Sequence, residues 1–271
     1  MADNSKAHAR ARLALRAERA FGLDSVRISE ESVQAEAKIT SMKTEASPEF
    51  STVPRATDLF AAPPVTISLP VKSTSEKVSL LKMMNENEVR DCPKCRLCET
   101  RTNTVFGEGD PDSKIMFIGE GPGENEDLQG RPFVGRAGEL LNKWITAMGL
   151  RREQVFIANI VKCRPPGNRE PAPDEVATCT PYLVRQIEII HPRVIVTLGR
   201  PSMQYMLQTK NSMGKMRGTW QDWRGVKLMP TYHPAYVLRS YTYETRKAVW
   251  DDLQMVMKEV GLPLPARKGK E

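Results

Sequence analysis

Histidine is scarce in this sequence. His8, His191 and His233 are its only three, so any chemistry that needs an imidazole has few places to reside. Long apolar runs are missing too. None is long and apolar enough to cross a bilayer, so a membrane-spanning helix is not expected. Residues 1–21 carry several arginines but no apolar centre, and do not read as a secretory signal. The first ninety residues contain no Trp, no Tyr and one glycine, Gly22. With so few large apolar side chains, that stretch cannot bury enough surface to offset the entropy of ordering. Five prolines between Pro48 and Pro70 reinforce this. Residues 1–78 are therefore expected to form a disordered or weakly helical extension, with weak helices around Lys6–Phe21 and Ser29–Thr44. Cysteine is absent before Cys92 and after Cys179.

What is present is concentrated. All five cysteines fall in that one window: Cys92 and Cys95 in a C-x2-C pair, Cys98, then Cys163 and Cys179. A C-x2-C pair brings two thiolates to one metal atom, and a distant pair completes a four-thiolate site. Buried or disulfide-bonded cysteines are the alternative, and the spacing does not choose between zinc and an iron–sulfur cluster. Metal-like spacing suits a reducing compartment better than a secreted scaffold. Charge is uneven as well. Of the net +7, residues 1–90 supply 13 Lys and Arg against 12 Asp and Glu, and residues 91–271 supply 27 against 21. The cationic excess sits on the segment expected to fold, which fits a phosphate-backbone partner and equally an ordinary basic protein.

Order is expected from Ser79 to Leu262, followed by a basic tail over 263–271. Leu80, Leu81, Met83 and Met84 suggest a short helix leading to the first cysteines. Ile115–Ile118, Val155–Val161, Val194–Leu198 and Val226–Met229 read as buried strands. Helical spacing marks Ala137–Met148, Asp174–Ile190, the stretch from Pro201 to Leu207, and Val249–Val260. Strands alternating with helices predict an α/β fold: three layers, α/β/α, around a central, mostly parallel four-stranded sheet. In such folds ligands gather at the loops leaving the carboxyl ends of the strands.

Three of those exits are unusual. The first is Gly119-Glu-Gly-Pro-Gly-Glu-Asn-Glu-Asp127, whose glycines let backbone amides approach a ligand. It carries Glu120 and Glu126 and lacks the Lys-Ser/Thr that completes a P-loop. Phe133 follows in Arg131-Pro-Phe-Val-Gly135, either as a stacking face for a planar ligand or as a core anchor. The second exit begins at Asn159, a polar residue ending an apolar strand. Its amide must find partners in neighbouring backbone or in a ligand that offers a carbonyl beside an N–H, as uracil does. The last exit, Tyr232-His-Pro-Ala-Tyr-Val-Leu-Arg239, places His233 directly after a strand.

The Cys92-x2-Cys95 pair, GEGPGENED, GRPFVG, NIVKCRPP, Cys179 and HPAYVLR occur in this order. Together they resemble the family four uracil-DNA glycosylases, the iron–sulfur members of their superfamily, over roughly residues 89–262. The resemblance implies that Cys92, Cys95, Cys163 and Cys179 hold a structural [4Fe–4S] cluster, with Cys98 incidental. It implies that Glu120, Gly121 and Glu126 belong to the uracil-pocket loop, and that Phe133 stacks on the flipped base. By the same resemblance, Asn159 would read the uracil edge, Asn168 would add a further pocket position, and His233 would lie beside uracil O2. Leu238 is the expected wedge into the duplex, with Arg239 on the backbone. The implied activity is excision of uracil from DNA by hydrolysis of its N-glycosidic bond, in the cytoplasm at the nucleoid, by a monomer. A catalytically silent DNA-binding module of the same fold is the alternative. Thr57-Asp-Leu-Phe60 is similar to the motif by which bacterial repair proteins dock on the sliding clamp, without its usual leading glutamine. Asp58, Leu59 and Phe60 are the clamp candidates.

Overall fold

The computed structural model describes residues 72–264. The helices expected around Lys6–Phe21 and Ser29–Thr44, the Asp58–Phe60 segment and residues 265–271 of the basic tail lie outside the described residues. The first helix, α1 (Thr74–Met84), starts upstream of the expected Ser79. The reason is local: Ser73 Oγ accepts from the Glu76 amide, and Glu76 Oε2 accepts from the Ser73 amide at 2.7 Å. This reciprocal capping satisfies two amides that the first helical turn leaves open.

Six strands follow: β1 (Glu108–Gly109), β2 (Ile115–Gly119), β3 (Phe156–Asn159), β4 (Val194–Leu198), β5 (Gln221–Trp223) and β6 (Val226–Thr231). They form one sheet in the order β1-β3-β2-β4-β6-β5. The four central strands run parallel, as expected. The sheet has six strands rather than four, because β1 and β5 add short antiparallel edges. Those edges span two and three residues and are only partly buried, so they leave no apolar run to read.

Between and after the strands lie α2 (Glu124–Gln129), α3 (Arg136–Ala147), α4 (Pro173–Ile190), α5 (Arg200–Leu207), α6 (Met213–Met216), α7 (Pro234–Arg239) and α8 (Tyr243–Val260). Alternate residues of each strand serve opposite faces. Met116, Ile118 and Ile195 share a core with Leu81 of α1 and with Val176, Leu183 and Ile187 of α4. Ile115, Phe117 and Val196 share the other with Leu141 and Ile145 of α3 and Leu253 and Val256 of α8. These are the three α/β/α layers. The register sets Gly119 opposite Asn159 and Leu198 opposite Thr231, so the carboxyl ends of the central strands share one edge. Every strand exit singled out above opens there.

Candidate active site

A cleft of about 920 Å³ opens along that edge. Glu120, Gly121, Glu126, Phe133, Asn159, Asn168, His233 and Arg239 all line it. The first sheet exit does not stay a loop: Gly123 caps α2, and Glu126 lies in that helix's first turn. One Glu126 oxygen accepts the Val134 and Gly135 amides at 2.9 and 3.0 Å, and the other accepts the Gly123 amide at 3.1 Å. Glu126 thus clamps the Phe133 loop to the glycine-rich turn. Both of its oxygens are committed, which leaves Glu120 as the cleft carboxylate free to serve a ligand.

Phe133 has a left-handed backbone, φ 53°, which costs a residue with a Cβ about 1–2 kcal/mol. Its neighbours hold it there. Arg152 donates to the carbonyls of Pro132 and Phe133. Gly138 packs under the Phe133 carbonyl so tightly that a Cβ would lie 1.8 Å from that oxygen. The ring is buried yet faces the cleft, with its centroid 5.6 Å from that of His233. Core anchor and cleft wall are therefore the same residue.

Asn159 ends β3 with 1% of its surface exposed. Among the described residues its Oδ1 has no hydrogen-bond partner. A buried acceptor left open costs about 1–3 kcal/mol, so an unanswered amide at a cleft wall is a candidate recognition group. Behind it, the fully buried Lys162 donates from Nζ to the Asn159 carbonyl at 3.0 Å and to Gln186 Oε1 at 2.7 Å. The strand end carrying the amide is thereby pinned from the core.

His233 caps α7, and its Nδ1 accepts the Ala235 amide at 3.1 Å. That bond fixes the neutral tautomer with the proton on Nε2. Burial, then the charge of Arg239, lowers its pKa to about 4, against the opposing pull of Glu126. At neutral pH the ring is an uncharged donor. Glu120 shifts the other way. Burial, followed by the nearby negative Glu170, raises its carboxyl to about 7, with Arg200 opposing.

The remaining candidates lie further out. Asn168 is exposed at the rim, also in a left-handed conformation, and its Oδ1 accepts from Arg164 Nε at 2.8 Å. Arg239 is exposed at the mouth. Leu238 is only partly buried and packs against the core that α3 and α8 share, so it does not stand out from the surface as a wedge. Reading the sequence missed Arg169, Arg200 and Tyr236, which also line the cleft. They reach it from three separate elements: Arg169 from the loop after β3, Arg200 from the first turn of α5 and Tyr236 from α7.

The cysteines form a second centre. Cys163 follows β3, Cys179 lies in α4, and both are buried, with Cys92 and Cys95 packed against the same core. All four are free thiols close enough to feel one another's charge. Burial pushes the Cys179 thiol up to about 11, so a thiolate there needs compensation. Donors are in place: Arg101 Nη1 reaches Cys163 Sγ and the Lys162 amide reaches Cys179 Sγ, each at 3.2 Å, and Tyr182 Oη lies 3.5 Å from Cys92 Sγ. Among the described residues no three metal-ligating side chains are grouped as one ion requires. Four cysteines against one core, three of their sulfurs met by N–H or O–H groups, are a donor set whose chemistry suits thiolate ligation. The buried Glu175 joins the two centres. Its carboxylate accepts from Arg96, beside Cys95, at 2.9 Å and from Arg169 of the cleft at 2.6 Å. These bonds hold its pKa down near 2.

Comparison with known proteins gives concordant findings. The family model of the uracil DNA glycosylase superfamily matches residues 106–254. A type-4 uracil-DNA glycosylase of Saccharolobus solfataricus is 51% identical over 179 residues, 63% of this chain and 82% of that protein. One from Thermotoga maritima is 49% identical over 177 residues, 65% of this chain and 92% of that protein. A third, from Sulfurisphaera tokodaii, is 49% identical over 180 residues, 63% and 81% of the two chains.

Proposed function

The chain belongs to the uracil DNA glycosylase superfamily and, within it, to the type-4 enzymes, and on that premise we propose that its cleft takes an extruded uridine between Phe133, Asn159 and His233. The protein is a DNA-repair glycosylase that releases uracil from DNA by hydrolysing its N-glycosidic bond. The observation that carries the site assignment is the unanswered Asn159 Oδ1 beside an aromatic wall.

The chemistry follows from those groups. A base inside a stacked duplex is out of reach, so the nucleotide must turn out into the cleft at a cost of a few kcal/mol. Basic residues at the mouth, Arg169, Arg200 and Arg239, offset part of that through phosphate contacts. Uracil offers the Asn159 amide an N3–H to accept and an O4 to receive a donor. Cytosine presents the reverse pattern and leaves both amide groups mismatched. When the C1′–N1 bond breaks, its electron pair leaves with the base and spreads over the carbonyl oxygens. The Nε2–H of neutral His233 donates to the O2 side of that anion, a contact worth about 2.7–4 kcal/mol in the transition state. The sugar becomes cationic, and ionised Glu120 stabilises it and orients the water that adds to C1′.

Cys92, Cys95, Cys163 and Cys179 would hold a [4Fe–4S] cluster, which when bound cross-links the Cys92–Cys95 turn, the β3 exit and α4. Docking to a sliding clamp through Asp58, Leu59 and Phe60, a monomeric state and a place at the nucleoid belong to the same proposal. Among the described residues no helix is long and apolar enough to cross a membrane.

The test is single-turnover base release from two oligonucleotides that differ only in uracil or thymine. The uracil strand is expected to become alkali-labile and the thymine strand to stay intact. His233→Ala is expected to slow release about 10²–10³-fold, and Asn159→Ala at least about tenfold. Near-normal rates in both variants would remove the pocket assignment.

A further inference from the structure

Tyr236, Tyr241 and Tyr243 leave 41%, 57% and 67% of their surfaces exposed. A single surface aromatic is ordinary. Three within eight residues, starting on the helix that lines the cleft and running on past it to the start of α8, are not explained by packing. Tyr236 lines the cleft together with Arg239, so the aromatic surface is continuous with the site. Two of the three rings also have a ring or a cation beside them. Tyr232 lies 5.0 Å behind Tyr236, with the planes tilted by 32°. Arg217 sits 5.4 Å from the Tyr232 ring and is itself anchored to Asp252 at 2.8 Å. Arg246 covers the Tyr241 ring at 4.7 Å. Leu238, which precedes Arg239 and was expected to project, instead leans on the core. The outward apolar side chain at the mouth is Tyr236.

Exposed rings alternating with guanidinium groups suit a particular ligand. A base stacks on an aromatic face whatever its identity, while the backbone phosphates meet the cations. A paired duplex hides its base faces and can use only the cations. We propose that Tyr236, Tyr241 and Tyr243, with Arg239 and Arg246, form a stacking surface for the unpaired nucleotides that flank the extruded uridine on its own strand. This rests on the glycosylase reading and extends it to strand preference: uracil in single-stranded or locally melted DNA is the favoured substrate.

The experiment uses the full chain and two measurements. One is fluorescence anisotropy with a labelled, uracil-free oligodeoxythymidine. The other is the kinetics of uracil release from one sequence presented as a single strand and as a duplex. The Tyr241→Ala/Tyr243→Ala double variant is expected to bind oligodeoxythymidine about tenfold more weakly. Its KM for the single strand is expected to rise by a similar factor, with the loss falling on KM rather than kcat, and with a much smaller change on the duplex. The Tyr241→Phe/Tyr243→Phe variant keeps the rings and is expected to retain wild-type affinity, which separates stacking from a folding defect. Unchanged binding in the alanine variant overturns the proposal, as does an equal loss on both substrates or a loss carried by kcat. Absence of uracil release by the wild type would instead sink the glycosylase reading, and the oligodeoxythymidine arm would still decide the stacking surface.

Discussion

Glu120 is held where its charge is costly. Burial and Glu170 raise its pKa from the ordinary 4.5 to about 7. The folded chain therefore binds a proton more tightly than the unfolded chain does. Between pH 4.5 and 7 the folded state holds the extra proton, so stability falls as pH rises through that window. Above pH 7 the ionised carboxylate is a standing cost to the fold; below pH 4.5 it costs nothing. A group kept under such strain beside an open ligand site is a functional candidate. Glu120→Gln is expected to raise the melting temperature at pH 8 and to leave it unchanged at pH 4. In the wild type, single-turnover uracil release should climb with pH through an inflection near 7, and the variant should lose both the inflection and most of the rate. A profile with the same inflection in both proteins would assign the titration to another group. His233 does not compete for this window. With its pKa lowered to about 4, it is already neutral where Glu120 titrates near pH 7.

The end of β2 and the end of β3 make the pocket floor together, because their register sets Gly119 against Asn159. A Cβ on Gly119 would fall 2.4 Å from Asn159 Oδ1 and 2.7 Å from Phe133 Cζ. Neither neighbour is free to retreat, since Lys162 pins the Asn159 backbone and Gly138 and Arg152 fix the Phe133 loop. Gly119→Ala is therefore expected to lower kcat/KM for uracil release at least about tenfold, with about 1–3 kcal/mol lost from stability, measured by single-turnover kinetics and urea unfolding. A wild-type rate would show that the amide and the ring do not face the substrate together. At this scale the central strands and long helices were legible, because Ile115–Ile118 is an uninterrupted apolar run, Val194–Leu198 is broken only by Thr197, and the apolar stripes of α3 and α4 recur at helical spacing. The short pieces were not. The segments at 124–129 and 234–239 read as loops because Gly and Pro punctuate them, yet Gly123 and His233 with Pro234 serve there as helix starts. Asn159 was visible as one polar residue closing an apolar strand. The difference between Glu120 and Glu126 was invisible, since it depends on which carboxylate the amides of Gly123, Val134 and Gly135 happen to fill.

Across the whole molecule, the four cysteines and the cleft are parts of one construction. The β3 exit runs from Asn159, which lines the cleft, through Lys162 in the core to Cys163, and on through Arg164, Asn168 and Arg169 at the rim. A cluster gripping Cys163 would fix both ends of that path at once. Glu175 repeats the link from the other side by holding Arg96 of the cysteine turn and Arg169 of the cleft on one carboxylate. Losing one thiolate should thus weaken the fold and loosen the rim, without removing Asn159, Phe133 or His233. Cys163→Ala is expected to purify with little iron or sulfide, to lose the visible absorbance of thiolate-bound iron, and to melt well below the wild type. At a temperature where it stays folded, its KM for uracil-containing DNA should rise more than its kcat falls, because in the proposed site the rim binds the backbone while the chemistry sits on other elements. A colourless wild-type protein carrying one zinc would overturn the cluster. A variant with normal KM and a collapsed kcat would show that the cysteine centre acts on the reacting groups themselves, and that the rim takes its shape from Glu175 and its two arginines.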